Sequence, residues 1–370
     1  MSDSTPPEAG LGDLEPVDRE RIDAIQAPLL ACLETLEHVV RHIHPGTLAA
    51  AARSGGEELE RLRAARGRLD AWPEHLEPLA RQFGQAADGA VTSFERLAET
   101  GGSEQAMFMA YRALRGLPKA HEALYPLAGL LPGVSRHFLE PDRRDSDGLV
   151  DALSGVAPEG TGVLAFGPDL DSRQTFWVYV PETYDAAHPH PLVVALHGGS
   201  GKGRTFLWSW LRAARSRGAI LIAPTSLGQT WALQGEDIDS PHLARIVAFA
   251  RDRWNIDPAR LLMTGMSDGG TFSYVSGLQK ESPFTHLAPF SAAFHPMLGS
   301  FADAERVNGL PVHIVHGTLD WMFPPELAQM ARDWFEQAGA NVSFHEIADL
   351  SHTYAPEFNT PVLDWMDSTA

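Results

Sequence analysis

Between Asp18 and about Leu131, apolar residues recur every three or four positions in a chain rich in Ala, Leu, Arg and Glu. That is the period of helices buried along one side. The spacing predicts a helix over about 17–42, in which Ile22, Ile25, Leu29, Leu33, Leu36 and Val40 share a face, stopped by Pro45-Gly46. A short segment over 47–53 follows, then a helix marked by Leu59, Leu62 and Leu69 and ended by Trp72-Pro73. Leu76, Leu79, Phe83, Ala87, Val91, Phe94 and Leu97 mark a third, ended by Gly101-Gly102. Ser103 with Glu104 caps a fourth, whose apolar face is Met107, Phe108, Tyr111 and Leu114, and 117–131 reads as a short fifth.

Past residue 160 the pattern changes from helical period to alternation of strands and helices. Strands are predicted at 161–166 and 175–180, a hairpin around Gly167-Pro168-Asp169, and at 191–196, an apolar run suited to burial on both faces of a parallel sheet. A helix over 204–217, a strand over 219–223 and a helix over 241–254 capped by Asp239 or Ser240 come next. Then follow strand 261–264, a helix to 278, strands 287–294 and 312–316, a helix over 325–338, strand 342–347 and a last helix over 356–366. Such alternation predicts an α/β doubly wound, mostly parallel sheet, here preceded by a smaller all-α helical domain. The expected organisation is a disordered tail over 1–16, a helical domain over 17–131, a Pro/Gly/Asp-rich linker over 132–160 and a catalytic domain over 161–370.

Composition narrows the function classes. The 370 residues are 44% hydrophobic and 21% charged, which is ordinary for a globular chain. A formal net charge of −19 disfavours nucleic acid and anionic membrane surfaces as partners, because neither would gain from counterion release. The acidic start lacks the basic and apolar regions of a signal peptide, no run approaches the length of a membrane helix, and Cys32 is the single cysteine. These features are read as a cytoplasmic protein without a disulfide framework.

Chemistry is concentrated at Gly265-Met266-Ser267-Asp268-Gly269, between the apolar run 261–264 and a predicted helix. A strand turning sharply into a helix through Gly-x-Ser-x-Gly lifts the serine oxygen clear and leaves the Asp268 N–H at the helix N-terminus, where it can donate to an oxyanion. A serine hydroxyl is inert near neutral pH without a histidine to take its proton and a carboxylate to orient that histidine. Asp320 follows a strand ending in His316-Gly317-Thr318-Leu319, and His352 follows the next strand, giving the order Ser, Asp, His. Asp349 is a rival orienting acid because it is close to His352 in sequence.

Together Leu196-His197-Gly198-Gly199, Ile256-Asp257-Pro258-Ala259-Arg260, Gly265-Met266-Ser267-Asp268-Gly269-Gly270, His316-Gly317-Thr318-Leu319-Asp320 and Ser351-His352-Thr353 carry a family pattern. From about Thr161 onward the chain resembles α/β-hydrolase serine esterases, most similarly the family of polyhydroxybutyrate depolymerases and feruloyl esterases. The resemblance implies Ser267 as nucleophile, His352 as base and Asp320 as its orienting acid. It also implies Gly199 as the oxyanion donor beside Asp268, and a small-molecule ester as substrate with no metal or organic cofactor. Trp231, ahead of Asp237 and Asp239, matches a family segment; with His197, Gly198 and His295 it is a candidate substrate contact. The nucleophile is followed by Asp268 where the family often has Asn or Gln, and residues 1–160 match no family pattern.

Other readings carry less of the sequence. His38 and His42 lie i, i+4 on one predicted helix with His44 nearby, but no third ligand of zinc-motif spacing follows. Gly201-Lys202-Gly203 lacks the spacing of a phosphate loop. Peptidase, thioesterase or lactonase chemistry would use the same three side chains, and a non-catalytic binding protein could keep the same fold. The helical domain shows no chemistry of its own; it could shade the pocket or make a homodimer through its apolar faces.

Overall fold

The computed structural model describes residues 15–100 and 105–370, which fall into two compact units divided between Glu159 and Gly160. Most of the expected tail, together with Gly101-Gly102 and the Ser103–Glu104 cap, lies outside the described residues. No described helix is long and apolar enough to cross a membrane.

The first unit is helical. It contains α1 (Pro16–His42), α2 (Leu48–Ala51), α3 (Gly56–Arg66), α4 (Glu77–Ala98), α5 (Ala106–Ala113), α6 (Gly116–Leu124), α7 (Pro132–His137) and α8 (Asp147–Ala152). The predicted face of α1 is the buried one: Ile22, Ile25, Leu29, Leu33 and Leu36 are sequestered, and α1 packs on α3, α4, α6 and α7. Two expectations differ. Phe108 is exposed, because in so short a helix Met107, Ala110 and Ala113 suffice to make the buried stripe of α5. The segment expected as linker instead forms α7 and α8, and its Leu139, Val150 and Leu153 make a small apolar cluster. Its Pro and Asp residues mark helix starts there, with Pro132 opening α7 and Asp147 opening α8.

In the second unit an eight-stranded sheet has the order β1-β2-β4-β3-β5-β6-β7-β8. The strands are β1 (Gly162–Phe166), β2 (Phe176–Val180), β3 (His190–Leu196), β4 (Ile220–Ala223), β5 (Ile256–Met266), β6 (His286–Phe290), β7 (Pro311–Gly317) and β8 (Asn341–Ile347). The β1–β2 and β2–β4 pairs are antiparallel and all others parallel. Helices α9 (Gly203–Arg217), α10 (Asp239–Arg253), α11 (Asp268–Gly277), α12 (Ala304–Val307), α13 (Glu326–Gln337) and α14 (Asn359–Thr369) complete it. Val178, Val194, Ile222 and Met263 share one continuous core with residues of α10, α11 and α13. The alternate residues Val193, Leu221 and Leu262 are fully buried outside that core, which is why the central strands read as unbroken apolar runs.

The order of the strands decides where a site can form. β4 lies on one side of β3 and β5 on the other, so successive crossovers diverge between β3 and β5. Loops leaving the carboxyl ends of two such strands part and leave a crevice. Leu196 is paired with Gly265, so the turn beginning at His197 and the turn carrying Ser267 emerge side by side at that opening.

Candidate active site

Ser267 sits between β5 and α11 with φ 56° and ψ −120°, a backbone that side-chain-bearing residues seldom adopt and that costs on the order of 1–3 kcal/mol. Packing holds it there. A Cβ on Gly265 would lie 2.6 Å from the Gly269 carbonyl carbon, and one on Gly269 would lie 2.6 Å from the His197 carbonyl oxygen. Both positions approach backbone, which cannot swing aside, so glycine is required for strand and helix to meet at this angle.

His352, on the loop between β8 and α14, brings its Nε2 to 3.0 Å from Ser267 Oγ. Its Nδ1 lies 2.9 Å and 3.0 Å from the two carboxylate oxygens of Asp320. An ionised carboxylate can only accept, so Nδ1 carries the proton and Nε2 presents a lone pair to the serine hydroxyl. Asp320 is held from the other side by the N–H groups of Met322 at 2.9 Å and Phe323 at 2.7 Å. Its side chain is fully buried, and these donors replace the water that a buried carboxylate would otherwise lack. His316 Nε2 donates to the Phe323 carbonyl at 2.8 Å and lies 3.4 Å from Asp320, fixing the same turn. Burial lowers the pKa of His316 and so favours its neutral form. The Phe323 ring meets His352 edge-on at 5.0 Å. Asp349, the rival acid, is exposed.

The other predicted residues divide. Gly199 and Asp268 are adjacent, since a Cβ on Gly199 would lie 2.8 Å from Asp268 Oδ2. Thr230 donates to that same carboxylate oxygen at 2.5 Å. Gly198 has ordinary clearance beside Ser267, its added Cβ falling 3.6 Å from the serine Cβ. His197 and Trp231, expected as substrate contacts, are only 1% and 2% exposed. Their side chains build the turn: Trp231 Nε1 donates to the His197 carbonyl at 2.7 Å, its ring lies 4.9 Å from the imidazole, and it stacks on Phe272 at 5.4 Å. His295 is exposed and accepts the Met297 N–H, capping a short 3-10 helix over Pro296–Ser300. Asp239 does not cap α10. It is buried and accepts from Leu227 and Ala232, while Asp237 takes the Ser240 N–H. Sequence reading assigned no role to His316, Phe323 or Thr230, because their partners are supplied by loop geometry rather than by spacing.

His197 is locked as a neutral tautomer, with Nδ1 donating to the Gly198 carbonyl at 2.7 Å and Nε2 accepting from the Ser226 N–H at 3.1 Å. Burial pushes its pKa down to about 4, with the charge of Arg173 adding to the effect and the Gly198 bond opposing it. The unfolded chain therefore takes up a proton here below about pH 6.5 that the folded chain refuses until about pH 4. Above that window the group contributes nothing. As pH falls through it, His197 should remove about 3 kcal/mol of stability. Urea unfolding at pH 7.5 and pH 4 checks this, because the loss should be smaller by about that amount in His197→Asn. Equal losses in the two proteins would refute the assignment.

A family model described as Phospholipase/Carboxylesterase matches residues 227–369. Feruloyl esterase C of Emericella nidulans is 29% identical over 189 residues, which are 48% of this chain and 67% of that protein. A probable feruloyl esterase C of Aspergillus oryzae is 29% identical over 151 residues, 38% of this chain and 55% of that protein. Among solved structures, a thermostable esterase superposes with a TM-score of 0.46 at 20% identity, over 56% of this chain and 62% of its own. The sheet order and the strand–serine–helix turn, together with the family match over residues 227–369, give the C-terminal unit an α/β-hydrolase architecture. It is a carboxylic ester hydrolase, similar to the feruloyl esterases.

Proposed function

We propose that Ser267 is the nucleophile of this hydrolase, His352 its general base and Asp320 the acid that orients the base. The observation that carries the reading is the 3.0 Å contact from Ser267 Oγ to the only unprotonated nitrogen of an imidazole whose other nitrogen is tied to Asp320. As Oγ bonds to the ester carbonyl carbon, its proton passes to His352 Nε2 and the carbonyl electrons move onto oxygen. The backbone N–H groups of Gly199 and Asp268 receive that charge. Collapse expels the alcohol, which takes the proton from His352. Water then repeats the sequence on the acyl-enzyme and releases the acid. An anionic side chain at Asp268 sits beside the developing charge, and donation from Thr230 disperses part of it.

For the acyl group we propose a hydroxycinnamoyl ester. The support is the similarity to two proteins described as feruloyl esterases. A panel of methyl ferulate, methyl butyrate and graded p-nitrophenyl esters tests this. Methyl ferulate should be turned over with a kcat/KM at least about 10-fold above methyl butyrate, the scale on which a shaped pocket discriminates. Preference for the short alkyl ester would sink the hydroxycinnamoyl assignment while leaving ester hydrolysis intact.

A further inference from the structure

Three helices of the N-terminal unit bring Glu37 of α1, His121 of α6 and His137 of α7 together. His121 Nε2 is 3.0 Å from Glu37 Oε1, His137 Nε2 is 3.8 Å from the same oxygen, and the two Nε2 atoms are 3.3 Å apart. Both imidazoles are buried, at 7% and 3% exposure, and Glu37 is half-buried at the rim. Phe138 meets the two imidazoles edge-on, at 5.7 Å and 5.2 Å, and gives the group an apolar wall.

We propose that Glu37, His121 and His137 bind a zinc ion that ties α1 to α6 and α7. The donor set is the one zinc uses, two neutral imidazoles and a carboxylate, with a fourth position left for water. The spacing agrees with it. Ligands at about 2.0–2.1 Å on a tetrahedral ion stand roughly 3.3 Å from one another, and the three observed separations, 3.0, 3.3 and 3.8 Å, scatter about that edge. The i, i+4 pair His38 and His42 is different in kind. Those rings lie tilted at 32° with centroids 4.1 Å apart, and the His42 Nδ1 is engaged with the His38 carbonyl at 2.9 Å. Binding would join segments far apart in sequence, so most of its effect should be on stability.

The test uses the full-length protein, stripped with a chelator and titrated with Zn²⁺, with Co²⁺ as a visible probe of coordination. The expected result is a single zinc ion per chain, tetrahedral Co²⁺ bands and a melting temperature that rises with zinc concentration. His121→Gln and His137→Gln should each weaken binding by more than the roughly 10–100-fold lost with an outer-shell partner, whereas His42→Gln should bind like the parent. If neither imidazole variant folds, Glu37→Gln at the half-buried rim carries the test. A parent chain that binds no zinc at micromolar concentration, or variants at these positions that bind as tightly as the parent, would overturn the site and leave the three residues as a proton-sharing network.

Discussion

Ser267→Ala is expected to lower ester hydrolysis by about a millionfold while the protein stays folded. The expectation follows from what remains at the site. His352 would keep its bond to Asp320 and its lone pair, yet that lone pair would face a methyl group with no proton to give. Attack would then fall to water without a covalent intermediate, aided only by binding and the oxyanion donors. The fold should be little affected, since alanine bears the same φ 56° burden as serine at the turn and the glycines that set the turn are untouched. Rates on a p-nitrophenyl ester, circular dichroism and labelling by a fluorophosphonate together decide the matter. An active, unlabelled Ser267→Ala protein would show that another group is the nucleophile.

Asp320→Asn is expected to cost on the order of 10⁴ in rate. The asparagine oxygen can still accept from Met322 and Phe323, so the turn survives. Its amide must then present N–H toward His352 Nδ1, which forces the ring to carry its proton on Nε2, facing Ser267. A nitrogen so protonated cannot take the serine proton. Asp349→Asn should change the rate little, because Asp349 is exposed and Asp320 already satisfies Nδ1. Measuring kcat/KM for both variants separates the two acids, and a larger loss in Asp349→Asn would reverse their roles.

Much of the molecule was legible in the chain itself, and the reasons are local. An apolar run such as Leu192 to Leu196, set between strand-ending signals, reads as a strand covered on both faces, and the three-to-four spacing through α1 leaves one face to bury. Gly265 and Gly269 mark a turn that no larger residue can make, so Ser267 could be singled out with no structure in hand. Asp320 and His352 stood out because each follows a strand whose end the pattern located. What the sequence by itself determined was therefore whatever depends on backbone period and on residues next to one another.

Tertiary structure decided the rest, because a side chain's task is set by what folding places against it. Trp231 and His197 look alike to any surface aromatic until their carbonyl and indole bond is seen, and only then do they become the inner wall of a turn rather than substrate contacts. Asp239 looked like a helix cap and instead spans a loop. The Pro- and Asp-rich stretch after Leu131 folds because Leu139, Val150 and Leu153 find one another. Glu37, His121 and His137 obey no spacing rule at all. Their meeting depends on how α1, α6 and α7 cross, a packing outcome that no window of sequence contains.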